Sequence, residues 1–155
     1  MSGLKSRRKG MRVEYLVRDA LRAEGFVADR VPASGASQGF KGDIRAIRDG
    51  KTYLLEVKAR KDSFTKVYEL MCLLHAKSKV LNFKGVETDE GSFRLGYSFS
   101  DVLPSAEHRS VLVSHTAPEY KLCKAVLNLR VLLGTCDTLV LKADKKPLVY
   151  VRYQL

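Results

Sequence analysis

The period of the apolar residues changes several times along the chain, and each change marks an element. Over residues 11–24, Val13, Leu16, Val17, Ala20 and Leu21 follow the i, i+3, i+4, i+7, i+8 spacing of one helical stripe. Gly25 is placed to stop that helix. Residues 26–31 read as a strand ended by Pro32. Residues 42–58 then alternate with period 2 around Asp49 and Gly50, the strongest short-range signal for a hairpin. Phe64, Val67, Tyr68, Met71, Leu74 and His75 return to helical spacing and predict a helix over 64–78. Residues 79–118 hold only short apolar pieces, at 80–83, 93–97 and 111–113. These fit either small strands of an appended sheet or a loop-rich lobe. Leu122, Val126, Leu129 and Leu133 predict a helix over 119–133, stopped by Gly134. Two strands follow, at 138–142 and 147–153, around a turn at 143–146. This order predicts a single α/β domain over residues 1–155 with a mixed sheet.

The hairpin has a consequence for charge. Centring it on Asp49 and Gly50 pairs Arg48 with Lys51 and brings Asp43 directly opposite Glu56. Residues directly opposite share a face, and Lys58, two positions further on, shares it too. The other face collects Ile44, Ala46, Tyr53, Leu55 and Val57, a core face. Like charges directly opposite destabilise a sheet, so something should compensate. A divalent cation held by oxygen ligands is the simplest candidate. A solvated Asp–Lys–Glu cluster on an exposed strand is the alternative.

Composition narrows the classes. The chain has 155 residues, with 45% hydrophobic and 29% charged, values of an ordinary globular domain. No run approaches the ~18 apolar residues of a membrane span. The basic N-terminus lacks the apolar core of a secretory signal. Three scattered cysteines, Cys72, Cys123 and Cys136, form no C-x-x-C pair and point to a reducing, cytoplasmic compartment. The Cys72 and His75 spacing lacks further zinc ligands, and core packing is the expectation there. His108 and His115 acquire no role. The net charge of +11 favours a polyanionic partner, most often nucleic acid. Lys5, Arg7, Arg8, Lys9 and Arg12 crowd the N-terminus, and Lys58, Arg60, Lys61 and Lys66 follow the second hairpin strand.

Two further features read either way. Glu14 borders the apolar stripe of the first helix. It is either directed into a cleft or is a first-turn carboxylate favoured by the helix dipole. The small-residue loop over 33–42 is either a flexible connection or a place where backbone amides and hydroxyls approach a phosphate. It is not a P-loop, because no Gly-Lys-Ser/Thr ends it.

Together these blocks resemble the PD-(D/E)xK nuclease superfamily, and more closely the archaeal-type Holliday junction resolvases. The matching text is Lys9-Gly10 with Glu14 opening the first helix, Gly25-Phe26 ending it, Arg30-Val31-Pro32-Ala33-Ser34-Gly35, Asp43-Ile44 and Glu56-Val57-Lys58. Residues 136–149 look like the C-terminal hairpin of related phage and plasmid nucleases. The stretch at about 76–128 departs from the compact family pattern and reads as an insertion.

The resemblance implies a restriction-endonuclease-like mixed β-sheet flanked by helices. It implies Asp43, Glu56 and the Val57 carbonyl as ligands of Mg²⁺, with Mn²⁺ as a substitute. Glu14 would complete the acidic site, through water or directly. Lys58 would orient or deprotonate the attacking water, and Ser34 would contact the scissile phosphate. Arg7, Arg8, Lys9, Arg30, Arg60 and Lys61 would hold flanking phosphates. A homodimer would cut opposing strands of a four-way junction. Physical chemistry agrees, since Mg²⁺ favours one or two carboxylates plus waters and substrate phosphate, and a carboxylate pair open on a strand edge offers that. Two other readings stay open. One is a nuclease for other branched or duplex DNA, and the other is a basic nucleic-acid-binding protein without catalysis.

Overall fold

A computed structural model describes residues 2–31, 42–60, 64–87, 91, 93–101, 103 and 110–154, with the side chains of residues 2–7, 86, 87 and 93 left aside. Helix α1 spans Ser2–Ala23 and leads into strands β1 (Val27–Arg30), β2 (Ile44–Arg48) and β3 (Lys51–Arg60). Helix α2 (Thr65–Leu73) precedes β4 (Val80–Glu87), β5 (Phe93–Ser100) and β6 (Val111–Leu112). Helix α3 (Tyr120–Asn128) runs on as a 3₁₀ turn, Leu129–Leu133, before β7 (Thr138–Ala143) and β8 (Val149–Gln154). All eight strands form one sheet in the order β1-β2-β3-β7-β8-β4-β5-β6. It is mixed, with β3 parallel to β7, β8 parallel to β4, and the remaining pairs antiparallel.

The sheet has helices on both faces. Val13, Val17 and Leu21 of α1 pack on Phe26, Ala28, Ile44, Ala46, Tyr53 and Leu55. On the other face, Val67 and Leu70 of α2 and Cys123 and Val126 of α3 meet Leu81, Phe83, Leu139, Leu141 and Val151. Strand β7 is therefore buried on both sides, which explains its unbroken apolar run. No helix among the described residues is long and apolar enough to cross a membrane.

Several boundaries differ from the sequence reading. Helix α1 begins nine residues before the 11–24 span expected from the apolar stripe, because Lys and Arg extend a helix readily without an apolar face. Its buried ridge is Val13, Val17 and Leu21, at i, i+4, i+8, while Leu16 lies to the side and is 47% exposed. Helix α2 ends at Leu73 rather than at residue 78. His75 turns left-handed (φ 51°), its N–H donates to the Cys72 carbonyl, and the Ala76 N–H donates to Met71, a Schellman stop without glycine. Cys72 and His75 are both exposed, so the core packing expected there is absent. In α3 the buried positions are Cys123 and Val126, and the last turn tightens to 3₁₀. The short pieces at 80–83, 93–97 and 111–113 are strands of the main sheet. They join it because β4 lies parallel against β8 and shares its buried face.

Candidate active site

The hairpin expected from Asp49 and Gly50 forms β2 and β3. Both residues have positive φ (51° and 75°), the geometry whose twist matches the flanking strands. Arg48 faces Lys51 and Ile44 faces Leu55. The ladder ends there, one residue short of Asp43. The Asp43 N–H donates to the Leu55 carbonyl at 2.9 Å, and the Val31 N–H donates to the Asp43 carbonyl at 2.9 Å. Its backbone is thus pinned to both neighbouring strands. The carboxylate reaches across, and Oδ2 accepts the Val57 N–H at 2.8 Å. Gly42 makes the approach possible. At φ 100°, an added Cβ would stand 2.6 Å from Cys136 Sγ and 3.1 Å from the Leu55 oxygen.

β3 is an interior strand, between β2 and β7, so the carboxylates do not stand on a sheet edge. The opening arises because β2 stops at Ile44 while β3 continues to Arg60. Past that point Val57 turns its N–H toward Asp43. In a strand, the carbonyl of the same residue projects to the same side.

Glu56 and Lys58 follow on the face away from α1. Lys58 Nζ lies 3.4 Å from Glu56 Oε1, with side chains 28% and 22% exposed. Cys136 Sγ lies 3.8 Å from Glu56 Oε2. Burial, and then the charge and hydrogen-bonding proximity of Asp43, hold the Glu56 carboxyl above its ordinary range, with Lys58 opposing. The two carboxylates therefore approach closely, as the register argument required.

Glu14 comes from α1, on the opposite side of Asp43. Burial, and then Asp43, raise its pKa, while Arg30 lowers it. Arg30 Nε lies 3.3 Å from Glu14 Oε1, its Nη1 donates to the Tyr15 hydroxyl at 3.1 Å, and its guanidinium sits 4.8 Å from the Tyr15 ring centre. Asp43 is thus flanked by Glu14 on one side and by Glu56 with Lys58 on the other. Among the described residues, no three His, Cys, Asp or Glu side chains converge into a metal cage.

The remaining sequence candidates are scattered. Arg8 is exposed and, with Lys9, Met11, Arg12 and Tyr15, lines a surface groove along α1. Lys9 is committed to Asp144 at 2.6 Å. Arg60 is exposed at the end of β3. Ser34 and Lys61 lie outside the described residues, as does the Arg7 side chain. Two residues escaped the sequence reading. Tyr15 is sandwiched between Arg18 and Arg30, which the i, i+3 spacing of Tyr15 and Arg18 half discloses. Cys136 left no local trace, because its contact with Glu56 spans 80 positions.

A mixed sheet with helices on both faces, carrying an Asp, a Glu-x-Lys and a flanking Arg–Glu pair where a strand stops short, defines a restriction-endonuclease-like protein. The family model described as archaeal Holliday junction resolvase (Hjc) matches residues 5–94, more than half of the chain. The protein belongs to that family, and so to a class of nucleases whose substrate is branched DNA.

Proposed function

We propose that this protein is a Mg²⁺-dependent endonuclease that resolves four-way junctions by paired hydrolysis of opposing strands, working as a homodimer in the reducing cytoplasm. The observation that carries the reading is the Asp43–Glu56 pair. Two carboxylates brought together on a +11 protein oppose both folding and a phosphate ligand unless a cation joins them. The donor set fits a hard cation. Asp43 and Glu56 would supply carboxylate oxygens, Val57 a carbonyl, and Glu14 a contact through water. When bound, such a cation lowers the pKa of a water and offsets charge growing on the phosphate.

The chain supplies the rest. Lys58, beside Glu56, orients the attacking water and stabilises negative charge as the water oxygen bonds to phosphorus and the sugar oxygen departs. Arg30 holds Glu14 in place. Ser34 contacts the scissile phosphate, and the groove at Arg8 and Arg12 with Arg7, Arg60 and Lys61 takes flanking phosphates.

A second reading keeps the chemistry and changes the substrate. Beyond the matched residues the chain adds most of β5 and all of β6 to β8. A hollow of about 720 Å³ there is lined by Arg94, His115, Tyr120 and Lys124 among apolar residues. Such a surface can redirect the site to flaps or duplex. The deciding experiment compares a mobile four-way junction, a flap and a linear duplex with and without Mg²⁺. Paired nicks confined to the junction, and only with metal, support the first reading. Equal cutting of duplex supports the second, and binding without cutting removes both.

A further inference from the structure

We propose that Cys136 is a positioning residue of the acidic site, its thiol gripping one oxygen of Glu56 while Lys58 grips the other, so that the carboxylate stays aimed beside Asp43 before a cation arrives. The inference rests on reading Asp43 and Glu56 as cation ligands. Cys136 lies outside the residues matched by the family model, which therefore assigns it no part.

The geometry is specific. Sγ stands 3.8 Å from Glu56 Oε2, and Lys58 Nζ stands 3.4 Å from Oε1. Each oxygen of one carboxylate thus has its own donor. Without them, repulsion from Asp43 would swing Glu56 toward solvent. The thiol is fixed against β3 from behind. The Cys136 N–H donates to the Leu133 carbonyl at 3.0 Å, and the Asp137 N–H donates to the Leu54 carbonyl at 3.0 Å. Asp137 Oδ2 accepts the Leu54 N–H at 2.8 Å, and Oδ1 accepts the Thr138 hydroxyl at 2.7 Å. Residue 137 is therefore sewn to β3 two positions before Glu56, and Cys136 cannot drift.

Gly42 gives the second line of support. A side chain there would collide with Sγ, so the glycine leaves the thiol its place between the Asp43 loop and Glu56. One thiol thus contacts Glu56 and occupies the space beside the glycine that precedes Asp43. Cys136 is 7% exposed, so its thiol meets Glu56 from inside the fold rather than from solvent. An S–H group is a weak donor, so its contribution is to orientation rather than to stability.

The test measures Mn²⁺ binding by the electron paramagnetic resonance of the free ion, on the full chain without DNA. Cys136→Val removes the donor and leaves the position filled by apolar groups, and Cys136→Ser keeps a donor. The expected result is a Mn²⁺ Kd about 10-fold weaker for Cys136→Val, the lower end for groups that orient a metal ligand, with Cys136→Ser within about twofold of wild type. Junction affinity without metal should be unchanged in both. Mn²⁺ binding by Cys136→Val equal to wild type overturns the inference. So does equal weakening in both variants, which would mean that only packing matters. If Cys136→Val does not fold, Cys136→Ala takes its place under the same criteria. Asp43→Ala separates the two levels. If it binds Mn²⁺ like wild type, the ligand reading fails. If it loses Mn²⁺ while Cys136→Val does not, only the role of Cys136 fails.

Discussion

The carboxylate of Asp43 accepts the backbone N–H of Val57 at 2.8 Å, while its charge raises the pKa of neighbouring Glu56. One side chain thus stabilises the fold by a hydrogen bond and destabilises it by repulsion. The two effects separate by substitution. Asp43→Asn keeps an oxygen for the Val57 N–H and removes the charge, so the metal-free protein should melt higher, by about 3 °C if relief is about 1 kcal/mol. Asp43→Ala also strands a partly buried N–H, so it should show no such gain. Both should stop cleavage, and Asp43→Ala should leave junction binding intact. Differential scanning calorimetry with and without Mg²⁺, beside a gel-shift assay, reads all of this. A lowered melting point for Asp43→Asn without metal would argue against the close approach of the two carboxylates.

That repulsion was legible in the sequence because a two-residue turn fixes register, and register fixes which charges face each other. The turn at Asp49 and Gly50 therefore carried most of the site. What register could not disclose is that the ladder ends at Ile44 and the Asp43 side chain takes over. That depends on Gly42, whose positive φ and close packing no register argument contains. Helix ends were less legible where the stop was not glycine. Gly25 marked the end of α1 plainly, whereas His75 ended α2 in a left-handed conformation that histidine adopts more often than most residues but far less often than glycine. The strands β4 to β6 were obscure because β4 joins the sheet through β8, with Val80 opposite Tyr150, and β5 and β6 follow only through β4; local periodicity carries no trace of so distant a pairing.

The raised carboxyls give a pH dependence with a definite sign. Glu56 and Glu14 both titrate above the ordinary value near 4.5, burial being the first cause and Asp43 the second. Between the unfolded and folded pKa values the folded state binds more protons, so stability falls as pH rises through that window. Acidification below it removes the penalty. Glu56→Gln should therefore gain on wild type, in the absence of metal, as pH rises from 4.5 through the raised range in which the folded carboxyl ionises. Added Mg²⁺ should raise the wild-type melting point more at the upper end, because protons and metal compete for the same oxygens. A variant-minus-wild-type difference flat with pH would refute the assignment.

Arg30 ties the first helix to the acidic site through Glu14 and Tyr15. Lysine cannot reproduce a planar group that bonds a carboxylate, bonds a phenol and stacks on the ring at once. Arg30→Lys should therefore lower cleavage about 10–100-fold, the range for groups that orient a ligand shell. The optimum should move to higher pH, since Glu14 loses the partner that lowers its pKa. A pH profile of single-turnover cleavage, with junction affinity measured alongside, distinguishes this from lost phosphate binding. Unchanged rate with weakened affinity would make Arg30 a phosphate contact alone.

Lys9 and Asp144 test whether the basic N-terminus is held in reserve. Their 2.6 Å pair is 28% and 48% exposed, so it adds little to stability, within about 1 kcal/mol. It does withhold a cation from DNA, and a phosphate must compete with Asp144 for it. Asp144→Asn should therefore tighten junction binding at low salt and steepen the dependence of log K on log salt by about one phosphate contact. Lys9→Gln should leave binding close to wild type if Asp144 retains the lysine in the complex, and should weaken it if the lysine transfers. Anisotropy titrations between about 50 and 200 mM salt read the slopes directly. Identical slopes for Asp144→Asn and wild type would place Lys9 outside the DNA contact and leave the groove at Arg8 and Arg12 as the nearer phosphate site.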